Sequence, residues 1–149
     1  MIDERSEKNI ATLLPKVQPV MRDFLIECKK YFQEKGIEVK VISGNRTWAE
    51  QDALYSKGRT TPGPKVTNAK GGQSNHNFGL ALDLGLFANG KYLGESPFYS
   101  HIGKIVEKFP SLEWGGNWKS ILDEPHVQYR VPYTLTQLRE RVASGKTIV

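Results

Sequence analysis

Two short segments of the sequence contain the residue types that bind a divalent metal ion in an enzyme. The segment SNHNFGLALD includes His76 and Asp83, and the segment DEPH includes His126. Catalytic zinc sites commonly have three protein ligands and keep a fourth position for water, so two histidines and one aspartate suit such a site. Asp123 lies three residues before His126, where its carboxylate could accept a proton from that water. These residues predict a zinc hydrolase.

The residues that follow His76 alternate as in a half-buried β-strand. From position 80 to position 86 every even residue is leucine, and the odd residues are alanine, aspartate and glycine. The leucines would pack on one face. The other face would be small except for Asp83, which leaves room for a metal ion and its water. The alternative from this segment alone is an ordinary strand in which Asp83 caps a turn.

The segment that begins at His126 predicts a second strand. His126, Gln128 and Arg130 alternate with apolar residues, which places the three polar side chains on one face. Pro125 has no backbone N–H, so it fits the start of a strand that emerges from a loop. His126 therefore opens this strand on its polar face.

The combined motifs resemble those of a known zinc peptidase family. SNHNFGLALD is similar to SxHxxGxAxD, the motif of the zinc D-Ala-D-Ala carboxypeptidases and L-Ala-D-Glu endopeptidases that include VanX, VanY and many phage endolysins. DEPH resembles the acidic-x-x-His element of this family, and SGNRT resembles its SGxRT motif. The resemblance extends from about Val39 to Gln128. EQDALY, the Gly-Gly pair before the histidine segment and EWGGNWK are similar to the L-alanyl-D-glutamate endopeptidase branch in particular.

The resemblance implies an α+β fold, with a small, mainly antiparallel sheet flanked by helices and a zinc cleft. VanX, VanY and the hedgehog signalling domain have this fold. It also implies one Zn²⁺ ion bound by His76, Asp83 and His126. In the same assignment Asp123 is the catalytic base, and Arg46 binds the substrate and stabilises the transition state. The carboxypeptidase and dipeptidase branches typically have glutamate at the position of the base, so an aspartate favours the endopeptidase branch.

Other residues receive roles from the resemblance alone. The further substrate contacts that it implies are Gln51, Ser74, Trp114 and Trp118. The two tryptophans could instead fill the core, as aromatic pairs often do. Glu113 and Glu124 are alternative candidates for the base.

The activity implied by the resemblance is hydrolysis of the peptide stem of bacterial peptidoglycan, between L-Ala and D-Glu, by a phage endolysin. One alternative is a D-alanyl-D-alanine carboxypeptidase, which is an enzyme of the same class. A second alternative is a catalytically silent, zinc-containing binding module of the hedgehog type. Nucleic-acid binding is suggested only by the positive charge, and no recognised motif supports it.

Composition indicates a single globular domain. The chain has 149 residues, of which 38% are hydrophobic and 25% charged, and we expect residues 1–149 to form one peptidase catalytic domain without a separate cell-wall-binding domain. The net charge of +5 favours polyanionic surroundings such as an anionic cell wall or nucleic acid. Cys28 is the only cysteine, so no intramolecular disulfide forms, and its apolar helical surroundings predict a core residue.

The N-terminal residues MIDERSEKNI are charged and lack the apolar stretch of an export signal. No apolar run is long enough for a membrane-spanning helix. We therefore expect a protein without membrane insertion, made in the host cytoplasm without a classical signal peptide. Such an enzyme would act on the cell wall after holin-type release or lysis. A monomer is a separate expectation.

The elements that must position the site are also visible. Residues 6–35 have helical apolar spacing interrupted by Pro15 and Pro19, which predicts a short helix, a break and a longer helix that ends near Gly36. Residues 37–43 alternate as a strand.

A helix follows that strand. Thr47 and Glu50 form a capping-box pattern for a helix that extends to about Lys57. Arg46 therefore stands at a strand-to-helix junction, where its guanidinium could bind a carboxylate or carbonyl group.

Residues 59–75 are rich in glycine, proline and small polar residues, and they predict a long loop. Arg59, Lys65 and Lys70 make this loop basic. It could form a cleft wall that contacts an acidic peptide, or it could be a solvated loop.

Two further helices are predicted downstream, after an Asn-Gly turn at 89–90. The first extends from Ser96 to Phe109 and includes His101, which has no partner at metal-ligand spacing and receives a structural role. The second begins at the capping-box residue Thr134.

Overall fold

The computed structural model describes residues 1–149. The helices are α1 (Glu4–Ile10), α2 (Gln18–Gln33), α3 (Trp48–Ser56), α4 (Ile102–Val106) and α5 (Leu135–Ala143). The strands are β1 (Ile37–Ser43), β2 (Ala81–Ala88), β3 (Lys91–Leu93), β4 (Leu112–Trp114) and β5 (His126–Tyr129). Short 3₁₀ helices cover Asn75–Phe78, Pro97–His101 and Gly115–Asn117.

The strands form one antiparallel sheet in the order β1-β2-β5-β4, and β3 also pairs with β2. β2 lies between β1 and β5, so it is the central strand around which the sheet is built. β2 and β3 are joined by a tight turn at Asn89 and Gly90, both with positive φ, which is the conformation that an Asn-Gly pair favours in a hairpin. The prediction of a small antiparallel sheet flanked by helices is confirmed.

The four leucines of the alternating segment define the core side of the sheet. Leu80, Leu82, Leu84 and Leu86 are fully buried in one apolar cluster, which also contains the inward residues of α2. Cys28 is among those buried α2 residues, as its apolar surroundings predicted. Because side chains alternate along a strand, Asp83 points away from this core.

The outer edge of β1 is paired with side chains from the first two helices. The backbone N–H of Val41 donates a hydrogen bond to Ser6 Oγ at 2.8 Å, and the carbonyl of Val41 accepts one from Asn9 Nδ2 at 2.8 Å. Lys29 Nζ donates to the carbonyl of Val39 at 2.7 Å. These contacts use backbone groups that an edge strand otherwise leaves unpaired, and they hold α1 and α2 against β1.

Most of the element predictions are confirmed. The N-terminal helical region breaks between Ile10 and Gln18, and the strand Ile37–Ser43 has the predicted bounds. The capping boxes at Thr47 and Thr134 are both formed.

Two element predictions differ from the structure. The helix expected over residues 96–109 begins as a 3₁₀ helix at Pro97 and ends as α4 at Val106. The short strands β3 and β4 were not predicted, because three residues are too few for a periodic pattern. None of the helices combines the length and apolar character needed to cross a bilayer.

Candidate active site

Asp83 and His126 are brought together by strand pairing. They are direct partners in the register between β2 and β5, so their side chains lie on the same face of the sheet. That face is opposite to the leucine core. The strand that carries Asp83 is therefore the predicted one, and the alternative in which Asp83 caps a turn is not observed.

His76 reaches the same place from the 3₁₀ helix Asn75–Phe78. Ser74 caps this helix through its hydroxyl, which accepts a hydrogen bond from the N–H of His76 at 3.2 Å. Gly79 ends the helix with φ +69°, and a Cβ there would lie 2.9 Å from the backbone nitrogen of Leu14. The glycine therefore allows the sharp turn that places His76 just before β2.

The donor atoms of His76, Asp83 and His126 all lie within 4.8 Å of one another. His76 Nε2 is 3.3 Å from Asp83 Oδ2, and His126 Nδ1 is 3.5 Å from Asp83 Oδ1. Metal–ligand distances of about 2.0–2.2 Å in a tetrahedral zinc site place neighbouring ligand atoms about 3.3–3.5 Å apart. The two nitrogens and one carboxylate of this cluster therefore fit a zinc ion with an open fourth position.

The remaining nitrogen of each imidazole already has a hydrogen-bond acceptor. His76 Nδ1 lies 2.9 Å from the carbonyl oxygen of Gly44, and His126 Nε2 lies 2.7 Å from Oε1 of Gln128. Because both partners are acceptors, these nitrogens carry protons, and in the neutral imidazoles the nitrogens that face Asp83 have the lone pairs that a metal would take. Such outer contacts orient histidine ligands for a metal.

The electrostatics of the cluster favour an ionised aspartate. Burial by itself raises the pKa of Asp83, but hydrogen bonds from His126 and His76 outweigh it and hold that pKa far below the ordinary value. Burial by itself lowers the pKa of His126, and the hydrogen bond to Asp83 outweighs it and raises that pKa above the ordinary value. The carboxylate thus attracts positive charge to the centre of the cluster.

Asp123 lies beside the cluster on the loop that leads into β5. Its Oδ2 is 4.0 Å from His126 Nδ1, and its backbone N–H donates to the carbonyl of Gly115 at 3.1 Å. Burial and the nearby charge of Asp83 raise the pKa of Asp123 above its ordinary value. A carboxyl group with a raised pKa is suited to taking up and returning a proton.

The cluster opens into a cleft of about 1050 Å³. Arg46, Ser74 and Trp118 line the cleft. The loop contributes residues 65–69, so its predicted position as a cleft wall is confirmed. The indole of Trp118 is 4.9 Å from the His126 ring, centroid to centroid.

Gln51 lies behind Arg46 and is fully buried. Its Oε1 accepts a hydrogen bond from Nη1 of Arg46 at 2.8 Å, and its Nε2 donates to the carbonyl of Ala69 at 2.8 Å. Asn77 completes this network by donating to the carbonyl of Arg46 at 3.0 Å. The sequence predicted a substrate contact at Gln51; in this geometry Gln51 reaches a substrate only through Arg46.

Trp114 is also placed away from the cleft. It is buried against Gly103 and Gly116, and its indole N–H donates to the backbone carbonyl of Glu124 at 2.7 Å. Of the two predicted tryptophan contacts, the structure brings only Trp118 to the cleft. Trp114 belongs to the core cluster, which is the alternative that the sequence left open.

Glu113 has a role that the sequence did not reveal. Its carboxylate accepts hydrogen bonds from Trp118 Nε1 at 2.9 Å and from Arg130 Nη1 at 3.2 Å, and Gln128 Nε2 lies at 3.5 Å. These contacts connect it to the cleft tryptophan and to the glutamine that orients His126. Glu113 is therefore engaged as a support and not free as a base. In the sequence, the only sign of this network was that His126 and Gln128 share one face of the predicted strand.

Three side chains that could hold a metal ion, with an adjacent carboxylate at an open cleft, are typical of a metallohydrolase. A family model described as D-alanyl-D-alanine carboxypeptidase matches residues 67–129, the range that contains His76, Asp83, Asp123 and His126. The chain belongs to this family of D-alanyl-D-alanine carboxypeptidases and L-alanyl-D-glutamate endopeptidases.

Among its relatives is the peptidoglycan L-alanyl-D-glutamate endopeptidase CwlK of Bacillus subtilis. The two are 37% identical over 121 residues, which cover 75% of this chain and 72% of the relative. The L-alanyl-D-glutamate peptidase of Listeria phage A118 is 31% identical over 128 residues, which cover 84% of this chain and 41% of the relative.

Solved structures support the fold. The L-Ala D-Glu endopeptidase ChiX of Serratia marcescens has a TM-score of 0.60 at 24% identity, with 85% of this chain and 87% of that chain covered. VanYB in complex with D-alanine-D-alanine has a TM-score of 0.53 at 17% identity, with 90% of this chain and 82% of that chain covered. The predicted VanX and VanY type of fold is therefore confirmed.

Proposed function

We propose that this chain is a zinc-dependent L-alanyl-D-glutamate endopeptidase that hydrolyses the peptide stem of bacterial peptidoglycan. The observation that carries the proposal is the convergence of His76, Asp83 and His126 within 4.8 Å, with Asp123 beside them. The two curated relatives described above have this peptidase activity in their names. The phage relative also supports a role as an endolysin, which acts on the cell wall after release from the host cytoplasm.

His76, Asp83 and His126 would hold a single zinc ion. When bound there, zinc would supply Lewis acidity toward the scissile carbonyl and would lower the pKa of a water molecule. The protein contributes the outer contacts that keep the two imidazoles in place. Gly44 holds His76 and Gln128 holds His126.

Asp123 is the proposed general base. Its carboxylate accepts a proton from the attacking water and returns it to the nitrogen of the departing D-glutamyl amine. The raised pKa of Asp123 favours the first step, because a more basic carboxylate takes the proton of the water more readily.

Arg46 is the residue proposed to stabilise the negative charge that develops on the scissile carbonyl oxygen. Gln51 uses one of its Nη1 hydrogens, and the remaining N–H groups of the guanidinium are available at the cleft. They can donate hydrogen bonds to the scissile carbonyl oxygen as negative charge develops on it. Charge stabilisation of this kind contributes most when the donors are held in place before reaction.

Substrate binding is proposed for Ser74 and Trp118, which line the cleft together with Arg46. The carboxylates of Asp83 and Asp123 would offset the charge of a bound divalent ion, so Arg46 and Lys65 leave the cleft with net positive charge. A positive cleft suits a peptide stem that contains an acidic residue. Gln51 acts in this proposal as a support of Arg46.

The test is mass spectrometry of purified peptidoglycan after digestion with zinc-loaded protein. We expect new N-terminal D-Glu that disappears with a chelator and in His126→Ala. His101→Ala is the matched control, because His101 lies outside the cluster and contacts the hydroxyl of Tyr31. Release of free D-Ala would instead assign a D-alanyl-D-alanine carboxypeptidase. Bound zinc without any product would assign a binding module.

A further inference from the structure

Thr12, on the loop between α1 and α2, connects the N-terminal segment to the strand that leads into the active site. Its hydroxyl donates a hydrogen bond to the carbonyl of Asn9 at 2.6 Å and accepts one from the backbone N–H of Asn45 at 2.8 Å. Asn45 follows Gly44 at the end of β1. The Thr12 side chain thus holds one end of the peptide unit between Gly44 and Asn45.

The other end of the same peptide unit holds His76. The carbonyl of Gly44 accepts the hydrogen bond from His76 Nδ1 at 2.9 Å, and this contact is buried. The chain contains no cis peptide bonds. In a planar trans peptide the N–H and the C=O point in opposite directions, so a bond that fixes one of them also fixes the other. The Thr12 hydroxyl therefore determines where the acceptor of His76 points.

The surroundings of Gly44 leave little room for another orientation. A Cβ on Gly44 would lie 2.3 Å from the carbonyl oxygen of Asn9 and 2.5 Å from Thr12 Oγ1. α1 is itself held on β1 by the bonds of Ser6 and Asn9 to Val41 described above. The end of β1 is therefore packed directly against the last turn of α1.

The same N-terminal segment also contacts the turn that follows His76. The N–H of Leu14 donates to the carbonyl of Gly79 at 3.1 Å. Thr12 thus acts on the carbonyl group that accepts the hydrogen bond of the His76 ring. Leu14 acts on the turn at Gly79, through which the backbone passes from His76 into β2.

We propose that Thr12 is a positioning residue of the metal centre. Its hydroxyl orients the Gly44–Asn45 peptide, whose carbonyl holds the His76 ring with Nε2 directed toward Asp83. This inference rests on the metal centre of the proposed function, since it concerns how one of the ligands is held.

The test compares the zinc affinity of purified variants by competition with a chromophoric chelator. Thr12→Val has nearly the same shape but removes both hydrogen bonds, and Thr12→Ser retains the hydroxyl. Outer contacts of metal ligands are worth about 10- to 100-fold in affinity; because Thr12 is one bond further out and exposed, we expect a loss of about 3- to 10-fold in Thr12→Val. Thr12→Ser should bind as wild type.

Gln18→Ala is the matched control. Gln18 Nε2 donates to the carbonyls of Ala11 and Leu13 in the same segment, but it does not contact the Gly44–Asn45 peptide. We expect this variant to keep wild-type zinc affinity. Thermal unfolding of the metal-free proteins shows whether Thr12→Val changes the fold, and we expect its melting temperature to match that of Gln18→Ala.

The outcomes separate the two proposals. Equal zinc affinity of wild type and Thr12→Val would overturn the role of Thr12 alone. An equal loss in Gln18→Ala would also overturn it, because the effect would then be a general loosening of the segment. A wild-type chain that binds no zinc would overturn the metal centre, and the role of Thr12 with it.

Discussion

Replacement of Gln51 by leucine tests how the active-site arginine is held. Leucine is close to glutamine in size, so the buried volume is nearly conserved while all the side-chain hydrogen bonds are lost. Nη1 of Arg46 and the carbonyl of Ala69 each lose their partner. Gln51 has no contact with the proposed metal ligands, so the substitution separates the arginine from the metal centre.

The size of the effect follows from the type of each bond. A hydrogen bond to a charged group is worth about 1.5–3 kcal/mol, and one between neutral groups about 1 kcal/mol. We therefore expect Gln51→Leu to lower the free energy of unfolding by about 2–4 kcal/mol, which most domains with a stability of about 5–15 kcal/mol tolerate. A freely rotating Arg46 should reduce kcat/KM on a stem peptide by about 10- to 100-fold, the usual cost of losing alignment.

The assay combines urea unfolding, zinc titration and a double-mutant cycle with Arg46→Met. If Gln51 acts through Arg46, Gln51→Leu should have no further effect on kcat/KM when the arginine is already absent. Zinc affinity should remain near that of wild type in every variant. Independent, additive losses of kcat/KM from the two substitutions would refute the reasoning, and they would return Gln51 to the role of a direct substrate contact.

Further predictions concern the base and acid stability. Asp123→Ala should bind zinc as wild type but lose about 10²- to 10⁴-fold in kcat, whereas Glu113→Gln should keep most of its turnover; the reverse result would make Glu113 the base. Burial raises the pKa of Asp3, but hydrogen bonds from Lys29 and Ser6 outweigh it and lower that pKa from 3.8 to about 2. Because the folded-state pKa is lowered, this stabilisation is present above pH 3.8 and is lost as the pH falls to about 2. After allowance for solvent screening we expect Asp3→Asn to cost roughly 1 kcal/mol at pH 7 and only a small part of that near pH 2, measured by urea unfolding at both pH values; an equal cost at both would contradict the assignment.

Local patterns were sufficient for the elements that carry the ligands. The alternation of leucines predicted β2 and the side of it on which Asp83 lies, because a period of two separates the two faces of any strand. The capping boxes at Thr47 and Thr134 predicted where two helices begin, because that contact joins residues three positions apart. The strands of three residues were not predicted, because they are too short to show a local period.

The roles of Gln51, Trp114 and Glu113 could not be predicted in the same way. Each depends on a partner far along the chain: Gln51 on Ala69, Trp114 on the glycine of α4, and Glu113 on Arg130. The motif resemblance marked Gln51 and Trp114 as candidate substrate contacts, but it contained no information on which way a side chain points. The side-chain contacts that form in the folded chain separated the supporting residues from those that face the cleft.

The sequence by itself determined the chemical identity of the site. Two histidines and two aspartates in two short motifs were enough to indicate a zinc hydrolase, and the resemblance of the combined motifs indicated the peptidase family. The tertiary structure decided how those groups are oriented. The register of β2 on β5 sets Asp83 opposite His126, and the Thr12–Asn45 and Gly44–His76 contacts join residues more than thirty positions apart. Such contacts depend on the packing of the whole fold, and no local pattern encodes them.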